Sequence, residues 1–410
     1  MVVVAFPATV TAAAFGRLDD GRTLLTTTTQ RGPRAGRPLH REGPPFMSTA
    51  HDSVTAHPTR DAGDLESRIA AQPHRFRVLT GDRPTGALHL GHYFGTLANR
   101  VRLQTLGVET YLVVADYQVI TDRDLAGDLP GHVRELLLDQ LAAGIDPART
   151  TIFTHSAVPA LNQLLLPLLS LVSVAELQRN PTVKAETAAT GTRAMSGLML
   201  TYPVHQAADI LFCSATLVPV GQDQLAHLEV TRTLARRFNE RYSPQRPVFT
   251  VPDPLVGQAP TLLGIDGHKM SKSRGNVIEL RATADQTAAL IRRAKTDSDR
   301  RITYDPATRP EVANLLELAG LCRGEHPATL AEQISDQGAA GLKTLVTEAV
   351  NDYFAPLRRR RAELAADAAT GGLDELLARG NDHANLIADQ MLDRVRNAMN
   401  MTYNRAGLMR

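Results

Sequence analysis

Two patterns of hydrophobic and polar positions alternate along the middle of the chain. Short apolar runs that suit buried strands are followed by stretches whose apolar residues recur at helical spacing. The predicted strands are RFRVLTG (75–81), ETYLVVAD (109–116), TTIFTHS (150–156) and LVPVG (217–221). The helical stretches include residues 89–106, 132–146 and 223–242. Strands that alternate with helices predict an α/β fold with a doubly wound parallel sheet.

The two ends of the chain differ from this middle part. Residues 1–74 are rich in Thr, Arg, Pro, Gly and Ala without a sustained period, which predicts a disordered extension. The apolar start, residues 1–16, lacks the basic residues of a secretory signal. After residue 283 the strand pattern stops and helical spacing continues, which predicts a separate all-helical domain over 283–410. The predicted catalytic domain is then 75–282, with a helical insertion around 175–200.

Composition restricts the class of protein but does not identify a binding partner. The chain has 410 residues, of which 43% are hydrophobic and 21% charged, and a formal net charge of +2. That charge neither requires nor excludes a nucleic-acid partner, because a local basic patch can lie within a neutral total. The two cysteines, Cys213 and Cys322, form no CxxC pair, which favours a reducing compartment over a disulfide or zinc framework. No apolar run reaches membrane-spanning length, so we expect a cytoplasmic protein.

Three polar segments follow predicted strands directly. They are TGDRPTG (80–86), VADYQ (114–118) and VPVGQDQ (218–224). Ligands of doubly wound sheets bind beyond the carboxyl ends of the strands. We therefore expect the functional site where these segments meet.

The segment HLGH (89–92) opens the helix that follows the first of these turns. His89 and His92 lie three residues apart and therefore share one face of the first helical turn. Gly91 allows a ligand to approach the backbone, and a helix N-terminus favours anions. A metal pair or two surface histidines would also fit, although metal pairs are more often four residues apart and need a third ligand.

A second candidate segment is GHKMSKSRGN (267–276), which we call the lysine loop. Lys269 and Lys272 are compact cations that suit phosphate, and Gly267 and Gly275 favour a loop that can move. The alternative is an ordinary solvated basic turn. If both segments border one crevice of one sheet, they would form a polyphosphate site.

HLGH and KMSKS resemble the paired HIGH and KMSKS motifs of class I aminoacyl-tRNA synthetases. The surrounding sequence resembles the bacterial tryptophanyl-tRNA synthetases over about residues 76–400. The matching segments, in the family's order, are TGDRPTG, HLGHYFGTL, LTYPVHQAADILF (200–212), VPVGQDQLAHLEVTR (218–232) and TDSDRRITYDP (296–306). The resemblance implies a Rossmann-like catalytic domain, a helical anticodon-binding domain and a homodimer.

The resemblance also implies a reaction and its participants. L-tryptophan would react with ATP to give tryptophanyl-adenylate and pyrophosphate, with Mg²⁺ sharing the phosphate charge. The tryptophanyl group would then pass to tRNA(Trp). His89, Gly91 and His92 would bind ATP, and Lys269 and Lys272 would neutralise the pyrophosphate. Asp209 would accept the indole N–H, although a carboxylate paired in the core is the plainer alternative.

The implied site residues fall into three groups. Positions that match catalytic residues are His89, His92, Lys184, Lys269 and Lys272. Positions that match ATP-binding residues are Arg83, Pro84, Thr85, Gly91, His92, Gly221, Gln222, Asp223, Leu262, Lys269, Met270, Ser271, Lys272 and Ser273. Positions that match substrate-binding residues are Gln118, Tyr202, Gln206, Asp209 and Gln224. Lys184 also fits an ordinary surface lysine, and Tyr202 a buried structural tyrosine. No protein-only metal site is expected.

Some positions depart from the family pattern. Many members carry Gln at the position of Arg83, Asn at that of His92 and His at that of Gln118, which suggests a divergent branch with an altered pocket. The run RRRR (358–361) is a candidate contact for tRNA phosphates, although most charge runs are solvated faces.

Three alternatives remain at this point. A tyrosyl-tRNA synthetase shares the fold, both motifs and a similar YPxxQAxD helix. A nucleotidyltransferase of the same superfamily would lack the helical domain after residue 283. A catalytically silent homologue would have no need of both intact motifs.

Overall fold

The computed structural model describes most of the chain beyond the N-terminal extension. The described residues are 62–120, 127–181, 183–184, 195–221, 224–256, 262–368 and 371–403. Five strands form one sheet: β1 Arg77–Asp82, β2 Glu109–Val114, β3 Thr150–Thr154, β4 Leu217–Val220 and β5 Asp253–Val256. All paired neighbours are parallel.

Helices make up most of the remaining described structure. Up to the end of the sheet they are α1 Ala62–Ala71, α2 Leu90–His92, α3 Ala98–Leu106, α4 Leu129–Ala143, α5 Pro159–Gln163, α6 Leu165–Leu169, α7 Val174–Arg179, α8 Gly197–Phe212 and α9 Leu225–Tyr242. Beyond it lie α10 Ala284–Arg293, α11 Pro310–Arg323, α12 Pro327–Gln333, α13 Gly338–Ala368 and α14 Gly372–Ala398. Short 3₁₀ turns occupy Pro73–Arg75, Tyr117–Ile120, His155–Ala157 and Lys272–Arg274. None of the described helices is both long enough and apolar enough to cross a membrane.

The strand order β3-β2-β1-β4-β5 confirms the doubly wound fold. The chain winds from β1 outward to β3, then returns to the other side of β1 and continues with β4 and β5. The order therefore reverses between β1 and β4, and a crevice opens beyond their carboxyl ends. The turn after Asp82 and the turn after Val220 border this crevice.

The strands form where the sequence is apolar on both faces. In β2, Tyr111, Leu112 and Val114 are fully buried because helices cover both sides of the sheet. The helix α4 begins where the Asp128 carboxylate accepts the Gly131 N–H at 2.9 Å. It ends at Gly144, whose φ of 115° is left-handed, as the sequence pattern predicted.

The edge strand β5 was not predicted from sequence. It is short, contains Pro254 and lies at the end of the sheet, where a missing N–H costs no ladder hydrogen bond. The N-terminal prediction is wrong for part of its range, because residues 62–71 form α1 and Ile69 is fully buried. Residues 1–61 and much of the 175–200 insertion lie outside the described residues.

The helices after residue 283 form as predicted and pack directly on the sheet. One hydrophobic core contains Leu112 of β2 together with Leu316 of α11 and Val346 of α13. At the edge strand β3, the Asn381 side chain of α14 accepts the Thr154 N–H at 2.9 Å. The core is therefore continuous across residue 282, and the predicted domain boundary there stays a prediction.

Candidate active site beyond the strand ends

The HLGH segment forms the start of a helix, as predicted. His89 has extended backbone (φ −127°, ψ 172°), and α2 continues through a π-helical turn, Tyr93–Leu97, into α3. The two imidazole centroids are 3.7 Å apart. His92 Nδ1 accepts the His89 backbone N–H at 3.2 Å, so in neutral His92 the proton is on Nε2.

Both imidazoles are uncharged at neutral pH. Burial lowers the pKa of His89 to about 3, with smaller contributions from His92 and Lys272. Burial also lowers the pKa of His92 to about 4, against the opposing effect of the Asp82 carboxylate. Each ring therefore offers a hydrogen-bond donor to an anion without a fixed positive charge.

The lysine loop converges on this segment. Residues 278–280 pair with 88–90, because the Leu90 N–H donates to Ile278 O at 3.0 Å and the Leu280 N–H to Leu88 O at 2.9 Å. A Cβ at Gly91 would lie 3.1 Å from the His89 ring and 3.5 Å from Met270 Sδ. Glycine at position 91 therefore permits the close approach of the two motifs.

Lys272 closes the crevice from the loop side. Its Nζ donates to Gly86 O at 2.9 Å and lies 3.5 Å from Thr85 Oγ1. Burial lowers its pKa, and the Asp82 carboxylate opposes this shift. Thr85 and Lys272 thus meet as the sequence predicted, whereas Lys269 is exposed and Ser271 and Ser273 contact each other at 2.9 Å.

Asn276 holds the loop and was missed by the sequence analysis. Its side chain is 2% exposed; Nδ2 donates to Asp266 Oδ1 at 2.7 Å, and Oδ1 accepts the Ser271 N–H at 2.8 Å. Nδ2 also lies 3.2 Å from Lys269 O. An asparagine after Gly275 is too common a turn residue to have signalled this role from sequence.

The structure places the other predicted ATP-binding positions only in part. Arg83 is exposed, Pro84 is buried, and Leu262 is buried beneath the loop, where its carbonyl accepts the Met270 N–H at 3.4 Å. Gly221 is exposed at the end of β4. Gln222 and Asp223 lie outside the described residues.

Asp82, at the end of β1, is held by two neighbours. Arg100 forms a buried ion pair with it, and Gln140 Nε2 donates to Oδ2 at 2.9 Å. Burial raises the pKa of Asp82, but the Arg100 guanidinium outweighs it and the net pKa is low. The carboxylate is therefore ionised and already partnered.

A second cluster lies around Asp209 on α8. Asp209 is 2% exposed, and its Oδ1 lies 2.9 Å from His155 Nε2. His205 Nε2 lies 2.8 Å from Asn162 Oδ1, and the Tyr117 ring is 6.4 Å from that of His155. Asp209 was predicted from the sequence, whereas His155 and His205 were not. Each of these histidines looks like an ordinary core residue until its partner is known.

The surroundings of His155 shift its pKa in the opposite direction from that of His89. Burial lowers the pKa of His155, but the carboxylates of Asp209 and Asp116 outweigh this and raise it above the ordinary value. Ligand atoms of His155, His205 and Asp209 lie within 4.8 Å of one another, a spacing that could hold a metal. The 2.9 Å contact between His155 and Asp209 already pairs two of these three residues with each other.

The remaining substrate candidates are placed as follows. Tyr202, half-buried on α8, meets His227 Nε2 through its hydroxyl at 3.1 Å. Gln206 is half-buried one turn further along the same helix, and Gln224 is half-buried just before α9. Gln118 is half-buried on the turn after β2. Lys184 is exposed, and no described contact places it beside the lysine loop.

The arginine run does not present four side chains to a ligand. Arg358 donates to Asn351 Oδ1 at 2.8 Å and to Thr287 Oγ1 at 2.9 Å. Arg361 Nε donates to Asp139 Oδ1 at 2.7 Å. These two guanidinium groups already have partners within the chain, whereas Arg359 and Arg360 are exposed, and the phosphate contact stays a prediction.

Asp139 links this helix to the first motif. It is fully buried on α4, and its Oδ2 accepts the Leu88 N–H at 2.8 Å, next to His89 in sequence. Burial raises its pKa, and the Arg361 guanidinium opposes that shift.

Comparisons with known proteins agree with this geometry. The family model "tRNA synthetases class I (W and Y)" matches residues 71–355. The chain is 37% identical to the tryptophan--tRNA ligase of Treponema pallidum and 38% to that of Lactococcus lactis, over 80% of this chain and 97% and 98% of theirs. A solved structure, the tryptophanyl-tRNA synthetase of Campylobacter jejuni complexed with ADP and tryptophan, matches with a TM-score of 0.68 and 28% identity over 79% of this chain and 99% of that chain. The protein therefore belongs to the class I tRNA synthetases of the tryptophan and tyrosine group.

Proposed function

We propose that the protein is a tryptophan--tRNA ligase that activates L-tryptophan with ATP and transfers it to tRNA(Trp). The convergence of HLGH and the lysine loop at the point where the strand order reverses carries this proposal. The relatives at 37% and 38% identity are named for tryptophan rather than tyrosine, which favours that substrate over the tyrosyl alternative.

The first step is an in-line attack on the α-phosphate of ATP. A carboxylate oxygen of tryptophan forms the new P–O bond while the bond to the β-phosphate oxygen breaks, and the electron pair leaves with pyrophosphate. The protein supplies position and charge rather than a covalent intermediate. His89 and His92 donate hydrogen bonds to phosphate oxygens, and Gly91 lets the nucleotide lie against the backbone.

The lysine loop acts on the leaving group. Lys272 leaves its present acceptors, Gly86 O and Thr85 Oγ1, for the β- and γ-phosphates, and exposed Lys269 joins it. The motion is small because both acceptors lie on the turn that borders the nucleotide. After pyrophosphate departs, the ammonium group returns to these oxygens.

The described residues fit a magnesium ion carried by the phosphates. Asp82 is already occupied by Arg100 and Gln140, so its carboxylate is not a ready ligand for the ion. Mg²⁺ commonly keeps its waters and binds through substrate phosphates, where it would neutralise charge. The second step needs tRNA(Trp), whose anticodon we assign to the helical region, and we expect a homodimer in the cytoplasm.

Substrate choice belongs to the Asp209 cluster. The Asp209 carboxylate accepts the indole N–H, with Tyr202 and Gln206 on the same helical face and Gln118 and Gln224 at the border. A buried acceptor rejects side chains without a matching donor. Arg83, His92 and Gln118 differ from the residues that many relatives carry at these positions. The pocket can therefore differ in detail from the pockets of those relatives.

Pyrophosphate exchange with tryptophan and with tyrosine tests the proposal. We expect exchange with tryptophan, and its loss in the K269A/K272A double variant. Lys343→Ala serves as the matched control, because Lys343 Nζ donates to Arg292 O at 3.0 Å far along the chain from the loop. Exchange with tyrosine alone would overturn the substrate, and full exchange in the double variant would overturn the site.

A further inference from the structure

The Asp209 carboxylate has an ionic partner before any substrate binds. His155 comes from the 3₁₀ turn after β3, Asp209 from α8, and their closest atoms are 2.9 Å apart. The exposed fractions are 0% for His155 and 2% for Asp209. An unpartnered carboxylate at such a place would be costly, and His155 is the partner that offsets this cost.

The pair leaves hydrogen-bonding capacity unused on the carboxylate. Asp209 Oδ1 and both ring nitrogens of His155 are buried without an aligned hydrogen-bond partner among the described residues. The 2.9 Å contact of His155 Nε2 with Oδ1 therefore leaves Oδ1 able to accept a further hydrogen bond. A buried acceptor in this state marks a place where a ligand donor can bind.

The other groups that face His155 are already committed. From the segment after β2, Asp116 accepts the backbone N–H groups of Tyr117 at 3.0 Å and Ser156 at 3.1 Å, as well as the Ser156 hydroxyl. The Tyr117 ring stacks on the His155 ring. From α8, His205 contacts Asn162, and burial lowers its pKa. His155 is thus the imidazole of this cluster that contacts Asp209 directly.

We propose that His155 is a specificity-determining positioning residue, which holds the Asp209 carboxylate in the orientation that accepts the indole N–H of tryptophan. This inference rests on the proposed function, since it assigns the substrate contact to Asp209. His155 acts through that carboxylate and does not itself contact the substrate.

The consequence is a change in what the pocket selects. Without His155, the Asp209 carboxylate loses the partner that orients it and becomes a poorer acceptor for the indole N–H. Tryptophan then loses its advantage over an analogue of the same shape that lacks the N–H.

The experiment compares tryptophan with its benzothiophene analogue, in which sulfur replaces the indole N–H. Isothermal titration of wild type and His155→Leu gives the ratio of the two affinities. We expect wild type to prefer tryptophan. In the variant we expect that preference to fall roughly ten-fold or more, because the buried acceptor has lost its partner.

Two further variants make the outcome decisive. Asp209→Asn should lose the preference; if it keeps the preference, the substrate role of Asp209 in the proposed function fails. His383→Leu is the matched control, because His383 is exposed on α14 and its ring contacts the Tyr111 hydroxyl at 3.3 Å. If Asp209→Asn loses the preference while His155→Leu keeps it, or loses affinity for both ligands equally, the role of His155 is overturned.

Discussion

Histidines occur in two regions of the candidate site, and their surroundings shift them in opposite directions. Beside the lysine loop, burial lowers the pKa of His89 to about 3 and that of His92 to about 4. Beside Asp209, the carboxylates overcome burial and raise the pKa of His155. The nucleotide region therefore holds neutral donors, whereas the carboxylates of the amino-acid region favour the protonated form of His155.

This difference matches the chemistry of the two ligands. A triphosphate supplies its own charge, so a region that binds it reversibly gains from cations with weak internal partners. An indole ring supplies one neutral donor and no charge. The protein therefore provides a partner for the buried Asp209 carboxylate, whereas the triphosphate can provide the partner of Lys272.

The largest expected effect on catalysis, and the strongest test of this comparison, is at Lys272. Lys272→Ala should lower the rate of tryptophan-dependent pyrophosphate exchange by about 10²–10³-fold, the usual cost of removing a group that stabilises the developing charge. Tryptophan affinity should hardly change, because Lys272 contacts the Thr85–Gly86 turn and not the Asp209 cluster. The chain has no tryptophan, so the emission of titrated tryptophan measures that affinity directly. Equal losses of rate and affinity would mean that the two regions are not separate.

A smaller effect is expected at Asn276, which holds the lysine loop but touches no predicted ligand. Asn276→Ala removes the hydrogen bond to Asp266 Oδ1 and leaves the Ser271 N–H without its side-chain acceptor. We expect a loss of about 1–3 kcal/mol in the free energy of unfolding, measured in urea, and a roughly ten-fold lower exchange rate. Asn397→Ala, at an exposed position near the end of α14, is the control. An exchange rate that is unchanged would show that the loop is placed by other contacts.

Gly91→Ala tests the closeness of the two motifs. The added Cβ would meet the His89 ring at 3.1 Å and Met270 Sδ at 3.5 Å, so one of them must move. We expect a several-fold rise in the KM for ATP and a constant KM for tryptophan in pyrophosphate exchange. Gly95→Ala, where no atom lies within 4 Å of the new Cβ, should change neither.

The smallest expected effect is on how the free energy of unfolding depends on pH. It tests the comparison because its sign differs between the nucleotide region and the amino-acid region. His89 and His92 have lower pKa values in the folded than in the unfolded chain, whose ordinary value is 6.5. The unfolded chain therefore binds more protons as the pH falls below about 6.5, and stability decreases toward pH 4. The raised pKa of His155 gives a contribution that is full below its ordinary value and is lost as the pH rises through the folded pKa.

Urea unfolding across this pH range separates the two contributions. The double variant His89→Gln, His92→Asn should flatten the acid side of the profile, and His155→Leu should flatten the alkaline side. A profile in which both variants lose the same side would contradict the opposite charge states.

The sequence was sufficient for the fold and for the nucleotide region because both depend on local patterns. The apolar run of β2 and the glycine that follows α4, Gly144, can be recognised from the sequence alone. The spacing of His89 and His92 and the residues of the lysine loop can be recognised in the same way. The sequence predicted that HLGH and the lysine loop border one crevice. The pairing of Leu90 with Ile278, just after the loop, and the contact of Lys272 with Gly86 O agree with this prediction.

The sequence was insufficient where a role depends on a distant partner. His155 and Asp209 are separated along the chain by several helices, so no local sequence pattern joins them. Arg361 reads as part of a basic run until α13 is placed beside Asp139. The strand β5 is too short, and too rich in turn residues, to stand out as a strand.

Asp139 sets a limit on how this enzyme can be dissected. The residue supports the backbone just before His89, yet its guanidinium partner, Arg361, comes from α13, far beyond residue 282. A catalytic fragment that ends at residue 282 would expose part of the apolar core. It would also leave the Asp139 carboxylate without its counter-ion. Any minimal version of the synthetase therefore needs α13, or a neutral Asn in place of Asp139 together with a new covering for the exposed core.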